Sequence, residues 1–318
     1  MQVVLRNKMV TFSRKLDKIS ENILYLLSLD SHMPLSTIAK HLGVTRRIVE
    51  TRVKKLFSHY RVRHQLIVNN KNLLRVTVLI KLGYFEPNLI DSLKKAPSLV
   101  YLKETLGSYD IMLLFQVDDL DEIQSIVTNL AKACKNHLQA LETITHDFED
   151  SLGYKVFCHE AKLLSLYQPL TRKIPSFSKE ENLLVQAIQQ YPDLSYQRLS
   201  ETTSLSQKRI ALSLKQWKRE GFIRYTIHPA YNRLGLQFHN LCVKTNVVHK
   251  KKFEHYLLNN PHIHWFKTGK GRWDYILSIC STTIAQFIDV NRMIRSENKH
   301  IILDSSALIT KIDVRRKY

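Results

Sequence analysis

Three things are scarce in this sequence, and each scarcity excludes something. There are only four cysteines, Cys134, Cys158, Cys242 and Cys280, and none approaches the CxxC spacing of a zinc site or a disulfide framework. Reduced, buried thiols are therefore expected, and no metal site is read from the sequence. Long apolar runs are missing too: stretches such as residues 24–27 and 76–80 fall far short of the roughly 20 residues that cross a bilayer. The opening MQVVLRNKMVTFSRK lacks the apolar core of a signal peptide, so a cytoplasmic protein without membrane contact is expected. The common catalytic signatures are likewise missing: there is no Walker loop, GxSxG, HExxH or GxGxxG. GKGR at residues 269–272 falls in a strand-to-strand turn rather than ahead of a helix, a poor setting for a phosphate. The resulting expectation is a protein that is not an enzyme and carries no cofactor.

Acidic residues are the third shortage. Lys and Arg total 48 against 28 Asp and Glu, a net charge of +20. That excess suits a polyanion, because each cation set on a phosphate releases condensed counterions. The chain has 318 residues, 44% of them hydrophobic and 24% charged, which is a globular profile with room for two or three domains.

What is present is a repeat. Residues 35–62 lie over residues 196–223 at an offset of 161, placing Val44 on Leu205, Thr45 on Ser206, Val49 on Ile210 and Leu56 on Trp217. Residues 97–110 lie over 261–274 at an offset of 164, placing Pro97 on Pro261, Gly107 on Gly271 and Asp110 on Asp274. The chain thus reads as two copies of a two-part unit. Residues 1–72 and 177–235 are the first parts, 73–150 and 236–318 the second parts. A connector over 151–176 carries two prolines.

Each first part has the pattern of a winged helix-turn-helix. In the first copy, apolar spacing predicts a helix over 19–29 and a short helix over 37–42 with Ser36 as its cap. Gly43 provides a left-handed turn, and Thr45 caps a reading helix over 46–60. Its apolar side is Ile48 or Val49 with Val53 and Leu56, which leaves Arg46, Arg47, Arg52, Lys54 and Lys55 largely facing outward. Arg61, Arg63 and His64 fall at the wing. In the second copy Ser204 stands where Gly43 stood and Ser206 caps a helix over 207–220. The matching polar set is Gln207, Lys208, Arg209, Lys215, Lys218 and Arg219, with Arg224 at the wing entry. Such a helix enters the major groove with its first turns on base edges, where Arg grips guanine with two bonds and later cations hold phosphate.

Each second part reads strand, helix, strand, strand, helix, strand. This βαββαβ order predicts an antiparallel sheet with two helices on one face, an α+β class overall. The bare sheet face needs a cover, and the twin in the same chain is the nearest one.

LDKISENILYLL, HLGVTRRIVETRVKKL and the pair GSYDIMLLFQV and GRWDYILSICS together resemble the Lrp/AsnC (feast/famine) transcription regulators, here duplicated in tandem. The resemblance implies a ferredoxin-like (RAM-type) βαββαβ ligand-binding and dimerisation module, binding of double-stranded DNA, and an intramolecular pseudo-dimer in place of two chains. Further homo-oligomerisation and an amino-acid or other small effector are also implied. The turn that would meet an effector is matched by Gly107, Tyr109 and Asp110 and by Gly271, Trp273 and Asp274. The same residues also make sense as a tight β-turn whose Asp caps backbone N–H groups. Two alternatives use the same duplicated units: a siroheme decarboxylase-like enzyme, for which His262 and His264 come into question, and a ligand sensor with vestigial DNA-binding helices.

Overall fold

The structure is a computed structural model that describes residues 16–69, 74–84, 87–117, 119–173, 175 and 177–315; the N-terminal stretch read for a signal segment lies outside them. The first copy contains α1 (Lys18–Leu29), α2 (Leu35–Leu42), α3 (Arg46–His59), β1 (Arg63–Val68), β2 (Leu74–Leu82), α4 (Pro87–Leu93), β3 (Leu99–Gly107), β4 (Ile111–Val117), α5 (Leu120–Cys134) and β5 (Leu138–Ser151). Among its described residues the connector holds a 3-10 turn (Lys155–Phe157) and one short α-helix, α6 (Ala161–Leu164). The second copy contains α7 (Lys179–Gln190), α8 (Tyr196–Thr203), α9 (Gln207–Arg219), β6 (Ile223–His228), the single turn α10 (Tyr231–Leu234), β7 (Gln237–Thr245), α11 (Lys250–Asn259), β8 (Ile263–Gly271), β9 (Tyr275–Ser281), α12 (Ile284–Glu297) and β10 (Ile302–Arg315).

Local chemistry accounts for the helix ends. Thr45 and Ser206 accept from the Ile48 and Arg209 amides, each satisfying an orphan donor of the first turn. Gly43 at φ +65° and Ser204 at φ +59° close α2 and α8 in the same left-handed conformation. Ser36, however, is not a cap. The Pro34 carbonyl already accepts from the Thr37 and Ile38 amides, so α2 starts at Leu35.

The predicted wings are the main departure. β1 does not fold back on β2; it pairs antiparallel with β6 of the other copy, with Gln65 opposite Thr226. The offset of 161 carries Gln65 onto Thr226, so the ribbon has a pseudo-two-fold axis at this pair. The cause is apolar: Leu66 and Val68 pack into the α7–α9 core, while Ile227 packs into the α1–α3 core. Each three-helix unit is completed by a strand from the other copy.

The remaining eight strands form a closed barrel in the order β10-β3-β4-β2-β5-β8-β9-β7. Within each copy the neighbours follow the βαββαβ order, and the two seams are β5 with β8 and β3 with β10. The seams are equivalent: Ile144 faces Gly271 in one and Leu308 faces Gly107 in the other, related by the offset of 164. Glycine is needed at both. Gly107 (φ +145°) and Gly271 (φ +151°) would put a Cβ 2.3 Å from the Ala307 carbonyl oxygen and 2.4 Å from that of Thr143. Helices α4 and α5 cover one outer face, α11 and α12 the other. The inner face is filled by Leu79, Tyr109, Met112, Ile144, Cys242, Trp273, Ile276 and Leu308.

The connector is not a loose extended link. Tyr154 and Phe157 enter the α1–α3 core, and the Leu170 amide donates to Asp150.

Candidate nucleic-acid interface

Both reading helices are buried on one side and cationic on the other. Val49 and Leu56 anchor α3; Ile210, Leu214 and Trp217 anchor α9. Thr45, Arg46, Arg47, Lys54 and Lys55 are exposed on the first, and Ser206, Gln207, Lys208, Arg209, Lys215, Lys218 and Arg219 on the second.

Their partners divide them. Arg52 is half-buried against Asp17 at 3.2 Å, and Lys54 pairs with Glu50 one turn back at 3.0 Å. Arg209 reaches Glu181 at 3.2 Å, and Lys218 crosses to Asp30 of the other reader at 2.6 Å. Arg219 comes no nearer than 3.9 Å to Glu220. Among the described residues Arg46, Arg47, Lys55, Lys208 and Lys215 make no ion pair, which leaves their charge for a polyanion. All five are at exposed positions in the first three turns of a helix. Of the acids that tether the others, Glu50 is one turn away, whereas Asp17, Asp30 and Glu181 are distant in sequence and only the structure identifies them as partners.

At the ribbon, Arg61 and Arg63 are exposed, and Arg61 takes the left-handed turn (φ +47°) that Gly221 takes in the second copy (φ +72°). Arg224 is a correction. Its side chain is 9% exposed and ion-paired to Asp150 at 3.0 Å, with further hydrogen bonds to the Ser151 and Gln168 carbonyls. It anchors the connector to β6 and has no face toward DNA. Burial pushes the Asp150 carboxyl up while Arg224 pulls it back.

The two predicted effector turns meet each other. Trp273 donates its indole N–H to the Tyr109 hydroxyl at 3.3 Å, and that hydroxyl donates to Glu142. Burial and Glu142 together push the Tyr109 hydroxyl pKa up. Asp110 accepts from the Leu82 amide at 2.8 Å and Asp274 from the Thr245 amide at 2.9 Å, with Lys81 and Lys244 beside them. For Asp274, burial opposes ionisation, but the Thr245 amide and the Lys250 and Lys244 ammoniums outweigh it and hold the carboxyl low. Gly107 and Gly271 serve the seams. All six residues therefore have structural partners inside the fold.

Beyond Ile144 the inner face of the barrel turns polar. Thr77 shares a hydrogen bond with His146 at 2.7 Å, Lys103 donates to Asn240 at 3.1 Å, and Arg75 and Lys267 both pair with Glu149. His262 and His264 sit elsewhere, on β8 and just ahead of it: one lies against the Cys280 carbonyl, the other against that of Gly153 with its ring stacked on Tyr154. They are not brought together with the buried cations. A concavity of about 170 Å³ lies at Asp17, Arg52, Lys55 and Tyr60, and an open one of about 460 Å³ at Arg292, Arg295, Lys299 and Asp304. No helix among the described residues is long and apolar enough to cross a membrane.

Comparison with known proteins divides along the same lines as the sequence. No family model matches the chain. It is 25% identical over 118 residues to the HTH-type transcriptional regulator FL11 of Pyrococcus furiosus, covering 35% of this chain and 78% of that one. In fold it is similar to the siroheme decarboxylase NirDL, at a TM-score of 0.60 and 14% identity over 94% of each chain. Escherichia coli AsnC aligns with 41% of this chain and 91% of its own at 18% identity and a TM-score of 0.32. The regulator likeness is partial, whereas the decarboxylase likeness spans both copies. This corrects the expectation that the chain is not an enzyme: the architecture that matches it from end to end is one solved for an enzyme.

Proposed function

We propose that the chain is a sequence-specific double-stranded DNA-binding transcription regulator, an intramolecular pseudo-dimer whose two helix-turn-helix units read two unequal half-sites. The observation that carries this is the pair of capped helices, α3 and α9, presenting Arg46, Arg47, Lys55, Lys208 and Lys215 without an ion pair among the described residues, on a pseudo-two-fold frame. The FL11 regulator, similar over 118 residues, supports the same reading. Each half-sheet is read as a ferredoxin-like unit of the RAM type, and the two units take the place of the two chains of a dimer. Because the reading helices begin TRRIVETR and SQKRIALS, the operator is asymmetric. No small effector is assigned to the axial turns, since their side chains and backbone are already engaged. The test is selection of binding sites from random duplex DNA at several salt concentrations. A bipartite asymmetric motif with a steep salt slope is expected. Salt-dependent binding without a motif would reduce the protein to a DNA coat, and no binding at low salt would overturn the reading.

A second reading rests on the whole-chain likeness to a siroheme decarboxylase. In it the barrel and its clefts accept an iron tetrapyrrole, whose carboxylates would compete with Glu149 and Asn240 for Arg75, Lys103 and Lys267. Titration with siroheme, followed by visible absorption and by analysis for released carbon dioxide, tests it. A spectrum identical to free siroheme and an unchanged substrate would remove it.

A further inference from the structure

We propose that His32, His64 and Asp193 form a binding site for a divalent transition-metal ion of the zinc class, placed where the two reading units meet. The three residues come from three segments: the turn after α1, the ribbon strand β1, and the turn between α7 and α8 of the other copy. Each offers one ligand atom, and these atoms lie within 4.8 Å of one another. The His64 Nε2 is 3.8 Å from the nearer Asp193 oxygen. Tetrahedral ligands about 2.0–2.2 Å from zinc stand roughly 3.3 Å apart, so the exposed His32 and Asp193 side chains close by up to about 1.5 Å to complete the geometry.

The site lies on the molecular pseudo-symmetry. The offset of 161 that carries Gln65 onto its ribbon partner Thr226 also carries His32 onto Asp193 and His64 onto Tyr225. Accordingly His32 stacks on Tyr225 at 4.1 Å, while Asp193 faces His64. The two equivalent corners of the readers converge on one spot, and divergence between the copies has made their combined chemistry two imidazoles and a carboxylate. That donor set favours zinc, cobalt or nickel over magnesium or calcium, which take oxygen.

The rings are held in place by packing, His32 by Tyr225 and His64 by Phe57 at 4.8 Å. The other charges facing the cluster are Asp30, which accepts from the His32 amide at 3.2 Å, and Lys218, which neutralises Asp30. With two of its three residues exposed, the site keeps a fourth position for water and exchanges with solvent, so the ion is a removable staple between the readers.

The test uses the full, untagged chain, stripped with chelator and titrated with Zn²⁺ by calorimetry and with Co²⁺ by visible absorption, without DNA. The inference therefore stands or falls apart from the regulator reading. One equivalent per chain is expected, with ligand-field bands of a nitrogen and oxygen set and no thiolate charge transfer. His32→Ala and Asp193→Asn change exposed side chains and leave far-UV circular dichroism unaltered; each should weaken binding by at least about tenfold, and Asp193→His should restore it. Binding with a thiolate band, no saturable binding, or unchanged affinity in both folded variants would overturn the proposal. Should His64→Ala unfold, the two exposed variants still decide.

Discussion

Trp273 and Tyr109 are the same position of the repeat, and they hydrogen-bond to each other inside the barrel at 3.3 Å. A residue meets its own counterpart only on a two-fold axis. The frame therefore has two axial landmarks, this aromatic pair in the barrel and Gln65 with Thr226 in the ribbon.

Removing the axial ring should open the barrel. Trp273→Ala is expected to cost about 3–5 kcal/mol by leaving a cavity among Leu79, Met112, Ile276 and their neighbours. Tyr109→Phe loses only hydrogen bonds and should cost about 1 kcal/mol. Urea unfolding midpoints measure both, and equal midpoints for Trp273→Ala and the parent would contradict the placement.

The seams depend on bare backbone. Gly107→Ala and Gly271→Ala each force a methyl against a carbonyl oxygen at a positive φ, so each should destabilise by about 2 kcal/mol or more. An alanine elsewhere, at Gly235, also meets a positive φ but has nothing within 4 Å, and should cost less. Thermal unfolding of the three variants gives the ordering directly.

On the DNA reading, the unpaired cations split by role. Arg46→Ala, Arg47→Ala or Lys208→Ala should relax preference at one base pair by about 1–3 kcal/mol. Lys55→Ala and Lys215→Ala should weaken binding to every sequence alike and lower the salt slope by about 1. Arg224→Ala should leave sequence preference untouched while lowering stability, since its guanidinium faces Asp150. Binding-site selection with each variant separates these outcomes, and a Lys55→Ala protein with altered base preference would reverse the assignment.

His146 makes stability depend on pH in a defined direction. Burial, with Lys267 and Arg75 nearby, holds its pKa well below the usual value near 6.5, so the folded chain keeps the ring neutral. In the unfolded chain the ring protonates as pH falls through about 6.5, so the unfolded state binds the extra proton there. Its contribution is full above that range and is lost progressively on acidification. His146→Gln should flatten the fall in unfolding free energy between about pH 7 and 5 relative to the parent. An unchanged slope would mean that the ring already titrates in the folded state.

Local chemistry was legible in the sequence wherever it was settled within a few residues. The caps at Thr45 and Ser206, and the left-handed stop at Gly43 with its match at Ser204, all follow from short-range pattern. Long-range partners were not. Alternation along residues 62–68 indicates a strand face but does not name its mate, so β1 read as a free wing rather than one side of a ribbon with β6. Arg224 looked like its cationic neighbours until strand register turned it onto Asp150. The axial turns carried two meanings in sequence, and the hydrogen bonds of Asp110 and Asp274 to strand amides supply the structural one. His32, His64 and Asp193 lie too far apart in the chain to form a motif, and only the ribbon brings them together.

The exchange of strands between readers has a consequence for how the molecule behaves at low abundance. A dimer built from two separate chains falls apart on dilution, and its population then rises with the square of concentration. Here Leu66 and Val68 support one reader while belonging to the other copy, and the covalent connector keeps that exchange intramolecular. The assembly is first order in itself: a single copy arrives with both halves already in register, and cutting the chain in two would leave each reader without part of its own core.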